Sequence, residues 1–190
     1  ICRGISKEDI FEDIMRKLHT FPLSSSEQRQ IRATPHRYYY IFHFPKKGDT
    51  SAKQFNPLTC RHYQFREQIK QKSEAILALR KDYPEYGKRV VAIDACSQEI
   101  GCRPEVFACS FRLLKNHVTP FPTGMETLEL PQLKISYHVG EDFLDVTDGL
   151  RAIDEAIRFL NLDCGDRLGH ALALGIDVRK WYAVKGNHIT

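Results

Sequence analysis

No stretch of this chain approaches the ~18 to 20 consecutive apolar residues that a membrane span requires. The amino-terminal ICRGISKEDIFEDIMRK interleaves charge with apolar residues, where a signal peptide would carry an unbroken apolar core. Membrane insertion and secretion are therefore not expected, and a cytoplasmic location is. The six cysteines (Cys2, Cys60, Cys96, Cys102, Cys109 and Cys164) include no Cys-x-x-Cys pair. That spacing argues against a thiolate zinc site or a thioredoxin-type redox motif, and leaves reduced, small buried thiols as the default. Low-complexity tracts, internal repeats and compositional boundaries are also missing, so residues 1–190 read as one domain. The chain starts at Ile1 without a methionine and stops at Thr190 without a tail signal, and the expectation is a piece of something longer.

What is present is the balance of a globular domain, 42% hydrophobic and 27% charged, which excludes disorder as the reading. The net charge of +4 hides an asymmetry. Residues 1–90 hold 18 basic and 10 acidic groups, a balance of +8, and residues 91–190 hold 10 and 14, a balance of −4. A basic front half could face nucleic acid, a nucleotide phosphate or an acidic subunit, but its basic residues are scattered as on a solvated surface. The aromatics of RYYYIFHF (37–44) look like a buried strand, not exposed stacking rings in a basic groove, so direct nucleic-acid binding is not expected.

Apolar spacing organises the chain as alternating strands and helices. A helix is expected over 5–18, where Ile5, Ile10, Ile14 and Leu18 recur near helical period behind a Ser6 cap. Strands are expected at 37–44, at RVVAIDA (89–95, an apolar run suited to burial on both faces), at LKISYH (133–138) and at 166–170. Helices are expected at 61–81, 104–114, 148–160 (with Leu150, Ile153, Ile157 and Leu160 on one face) and 176–182. This βα repetition predicts a parallel α/β sheet.

In such folds the functional groups collect at the carboxyl ends of strands. Three expected strands end in residues able to do chemistry: Asp94; His138 with Glu141 in YHVGED; and Arg167 with His170 in DRLGH. Any one of them alone is more readily a satisfied structural residue. Together, an imidazole, a carboxylate three residues later on a glycine turn and a second imidazole one βα unit on are the parts of metal-assisted hydrolysis.

HVGE (138–141) resembles the HAGE motif, and RLGHA (167–171) the RIGHG motif, of the adenosine and AMP deaminase family of metal-dependent hydrolases. VVAIDACSQE (90–99) is similar to the family's fourth strand, with its Asp, two small residues and later Glu. Together these motifs span 89–182, and within the family the chain looks most like the large adenosine deaminase component of the RADAR antiphage system. The resemblance implies a partial TIM-type (β/α)8 barrel, Zn2+ as cofactor, a purine nucleoside or nucleotide as substrate, and homo-oligomeric assembly. The implied reaction converts adenosine, or a related adenine nucleoside or nucleotide, to the inosine form plus ammonia, with a role in antiphage defence. His138 would be a zinc ligand, Glu141 would donate a proton to purine N1, and His170 would orient or deprotonate the attacking water. Asp94, Ser97 and Arg167 would lie beside the substrate or support these groups, Arg167 first as a strand-end ion pair.

Departures from the family pattern carry their own expectations. The eight histidines include no His-x-His pair, no Asp follows Asp177, and Ser97 stands where the family commonly has glycine. The reading is then of the middle of a barrel whose whole typically takes about 250 residues, inactive alone and without tightly held zinc because His138 is a single ligand. The alternative is a non-catalytic or degenerate homologue with an assembly or partner-binding role.

Overall fold

The computed structural model describes residues 39–49, 60–118 and 130–186, with Glu12 and Arg16. The helix expected over 5–18, with its Ser6 cap, lies outside the described residues. Four strands, β1 (Tyr40–Pro45), β2 (Val90–Cys96), β3 (Lys134–Val139) and β4 (Arg167–His170), form a parallel sheet in sequence order. The long helix α1 (Tyr63–Asp82) and the short α2 (Pro84–Gly87) join β1 to β2. Then come α3 (Ala108–Asn116) before β3, α4 (Val146–Phe159) before β4, and α5 (Val178–Val184) after it. The chain is thus α/β, with a four-stranded parallel sheet flanked by helices.

Strand alternation decides what each face does. In β3, Ile135, Tyr137 and Val139 are buried while Lys134, Ser136 and His138 are half-buried. The buried set meets helices, where Phe44, Phe107, Phe111 and Tyr137 make edge-on ring contacts at centroid distances of 5.2 to 6.3 Å. Such pairs add about 0.5 to 1.5 kcal/mol each beyond the area they bury. In β2, Val90, Ala92, Ile93 and Ala95 are buried but Asp94 and Cys96 are not, so its second face is only half covered.

Two helices differ from expectation for identifiable reasons. The segment expected as one helix over 104–114 is a 3-10 turn at Pro104–Val106 followed by α3, with Pro104 opening the turn, where its missing N–H costs nothing. Helix α4 buries Val146, Gly149, Ala152, Ile153 and Ala156, whereas the expected contributors Leu150 and Ile157 are exposed. Small residues let this helix lie close: a Cβ on Gly149 would sit 2.8 Å from Phe143 and from Ala173. Asp145 starts the helix by accepting from the Thr147 N–H at 2.9 Å.

No helix among the described residues is long and apolar enough to cross a membrane.

Candidate active site

The face of the sheet turned away from the helices carries polar side chains at the carboxyl ends of the strands. Asp94 and Cys96, two residues apart on β2, share that face, and His43 on β1 is the register partner of Asp94. His138 comes two residues after Ser136, the β3 partner of Asp94, and pairs in turn with Gly169 on β4. The Asp94 carboxylate holds two imidazoles: His138 Nδ1–H donates to Oδ1 at 3.0 Å and His43 Nδ1–H donates to Oδ2 at 3.1 Å. Gly169 leaves room for this arrangement, because a Cβ there would lie 2.6 Å from His138 Cδ2.

His138 and His170 come together with ring centroids 5.2 Å apart, and His170 Nε2 lies 3.1 Å from Glu141 Oε2, an ion pair when the imidazole is protonated. His138, Glu141, His170 and Asp94 therefore form one connected group across β2, β3 and β4. Its backbone is unusual: His170 and Ala171 have φ of 58° and 48°, a left-handed pair without glycine. The reversal is held by the Ala171 N–H donating to Val139 O at 3.0 Å and by the Ala173 N–H donating to Gly140 O at 3.0 Å.

Two residues to which the sequence assigned no role, Glu99 at the end of VVAIDACSQE and Lys46, support the HVGE turn. The buried Glu99 carboxylate accepts from the Gly140 N–H at 2.8 Å and the Glu141 N–H at 3.2 Å, and so fixes the backbone from which Glu141 projects. Lys46, also buried, donates to the His138 carbonyl and lies over the Tyr137 ring at 4.6 Å. Burial pushes its ammonium pKa down, with Glu99 opposing part of that shift. Lys46, Glu99, Tyr137, Val139 and Phe143 line a pocket behind this turn, distinct from the His138–His170 pair.

Ser97 and Arg167 stand apart. Ser97 is exposed with φ of 81°, a conformation suited to the glycine that the motif commonly has there. Arg167 is exposed on β4 and makes no ion pair with a described residue, so its expected strand-end pairing is not found. The pair at that strand start belongs to Asp166, whose Oδ2 is 2.5 Å from the buried Lys115 Nζ and whose Oδ1 accepts from the Ile135 N–H at 2.8 Å.

A second group of ligand-type atoms adjoins the first. One donor atom from each of His43, Asp94 and Cys96 can be chosen so that all lie within 4.8 Å of one another, a set able to hold a metal ion. Burial, followed by the charge of Asp94, pushes the Cys96 thiol pKa up. Neither His43 nor Cys96 stood out in the sequence. The only signal was the two-residue step from Asp94 to Cys96 along a strand, and nothing in the sequence reveals which β1 residue lies opposite.

No family model matches the chain, and no curated protein matches its sequence.

Proposed function

We propose that this chain is part of a (β/α)8 barrel that hydrolytically deaminates adenosine, or a related adenine nucleoside or nucleotide, with zinc as cofactor. The observation that carries the reading is the convergence of His138, Glu141 and His170 at the ends of adjacent parallel strands. The metal question turns on His138. Its Nδ1 is committed to Asp94, which fixes the tautomer and leaves the Nε2 lone pair to bind a cation, the usual arrangement of a carboxylate-oriented histidine ligand. Zinc held there would supply the Lewis acidity that makes water a nucleophile near neutral pH.

The remaining chemistry belongs to this chain's own groups. Glu141 hands a proton to the purine ring nitrogen, which draws electrons from C6, and His170 orients the attacking water and takes its proton. Their 3.1 Å separation puts both groups within reach of one purine edge. Water adds at C6 and the amino group leaves as ammonia, so adenosine and water become inosine and ammonia. Glu99 acts as a positioning residue through the two backbone N–H groups it receives.

A second reading rests on the ligand count: without a His-x-His pair in these 190 residues, the sheet would serve assembly or partner binding only. Ammonia release from adenosine by the full-length protein, with and without zinc, separates the two. In the catalytic case Glu141→Gln lowers turnover at least about hundredfold and keeps the zinc content, since it removes a proton donor and no ligand. His138→Ala lowers the zinc content instead. Turnover of Glu141→Gln equal to the native protein sinks the catalytic assignment, and absence of any deamination by the zinc-loaded full-length protein favours the assembly reading.

A further inference from the structure

We infer that His43, Asp94 and Cys96 form a separate binding site for a thiophilic divalent cation such as Zn2+, sharing the Asp94 carboxylate with His138. The site does not depend on the deaminase reading: His43 and Cys96 take no part in it, and Asp94, which holds His138 through Oδ1, offers its other oxygen here.

The geometry follows from strand register. Residues two apart on a strand project from the same face, which aligns Asp94 with Cys96, and parallel pairing sets His43 directly across from Asp94. His43 Nδ1 lies 3.1 Å from Asp94 Oδ2 and 3.6 Å from Cys96 Sγ. Donors at the usual zinc bond lengths of about 2.0 to 2.3 Å, at tetrahedral angles, are separated by roughly 3.3 to 3.6 Å. The three donors already lie within 4.8 Å of one another, so a cation can draw them together once the Asp94 carboxylate turns from His43. One nitrogen, one oxygen and one thiolate suit zinc, and the thiolate disfavours magnesium or calcium, which take oxygen ligands. Three protein donors leave a fourth position open, and the exposed His43 lies at the solvent side of the cluster.

Loading is balanced by protons. The Cys96 thiol releases its proton to solvent and binds as thiolate, and the His43 Nδ1 proton moves to Nε2 so that the Nδ1 lone pair faces the cation. Asp94 Oδ2 turns from His43 to the metal while Oδ1 keeps the hydrogen bond from His138 Nδ1. The expectation that the chain alone does not hold zinc tightly counted His138 as the sole ligand. This cluster is a different set and changes that count.

Cobalt(II) titration of the 190-residue chain under reducing conditions tests the site, because cobalt bound to a thiolate has a near-ultraviolet charge-transfer band. The band should rise to one equivalent and vanish when zinc displaces cobalt. Cys96→Ser should abolish the band. His43→Gln should weaken binding at least about tenfold while keeping the band at high cobalt, and Cys164→Ser, at an exposed cysteine outside the cluster, should leave the band and affinity within about threefold. A band that survives in Cys96→Ser places the cation on another cysteine, and native-like affinity in His43→Gln removes the histidine; either result overturns the site, as does failure of the native chain to give the band. Both variants alter side chains that are not fully buried, and circular dichroism matching the native chain qualifies them for the comparison.

Discussion

At the scale of single residues, the candidate site depends on where bulk is missing as much as on which groups are present. Gly169 has no functional atom, yet its bare Cα lets the His138 ring lie against β4 and reach Asp94. Gly169→Ala should push the ring aside, break the His138–Asp94 hydrogen bond and cost about 1 to 3 kcal/mol, the usual range for overpacking. The urea unfolding midpoint reads this directly, and a midpoint equal to that of the native chain would mean that the ring has room to move. The glycine is legible in the sequence as part of RLGH, whereas its reason is not: the clash depends on β3 and β4 pairing in the register that sets His138 beside it. The same limit hid His43. An imidazole on an aromatic strand carries no mark of its function until a partner 51 residues away is aligned with it.

At the scale of elements, strand positions were legible because apolar and β-branched runs are short, bounded and distinct from helical spacing, and β2, β3 and β4 begin and end within about a residue of where pattern puts them. Helix faces were less so. The buried stripe of α4 uses Gly149, Ala152 and Ala156, whose small side chains do not register as a hydrophobic face, so larger neighbours drew the attention. What ties β4 to the rest is also quiet in the sequence. Lys115 at the end of α3 and Asp166 before β4 are each 1% exposed at the side chain and meet at 2.5 Å. Burial alone would push the Asp166 carboxyl pKa up, but hydrogen bonds from Lys115 and from the Asp163 and Ile135 N–H groups hold it below its ordinary 3.8. A carboxyl depressed on folding contributes stability that is complete above the ordinary value and is lost as pH falls from 3.8 through the folded-state value. Acid unfolding should therefore steepen below pH 3.8 in the native chain and lose part of that dependence in Asp166→Asn. Lys115→Met leaves a buried carboxylate without its cation and should cost about 3 kcal/mol or more at neutral pH. Denaturant melts at pH 7 and pH 3 check both, and a Lys115→Met cost under about 1 kcal/mol would show that the two backbone donors suffice.

At the scale of the whole molecule, the sheet order decides behaviour in solution. Among the described residues β1 pairs only with β2, and β4 only with β3, so each outer strand presents one row of backbone donors and acceptors to whatever lies beside it. Unpaired strand edges recruit strands. Exposed apolar side chains add to this at the β4 end, where Leu172 and Leu174 follow the strand and Val178 and Val184 lie on α5. Against association stands the net charge of +4, concentrated in a front half of +8, which makes copies of the chain repel one another at low salt. The two effects respond oppositely to ionic strength: salt screens the repulsion over about 10 Å at 0.1 M and leaves backbone pairing and apolar contact nearly untouched. Sedimentation velocity of the isolated chain should thus show species heavier than the 22.0 kDa monomer, growing with protein concentration and growing further as salt rises from low to physiological levels. Association that weakens with salt would instead assign the contact to the charged halves meeting head to tail, and a monomer at all concentrations would mean that neither edge is open to a partner. On the proposed reading, a barrel completed by further strands removes both edges at once, and the salt-enhanced association should then be lost in a longer chain that supplies those strands.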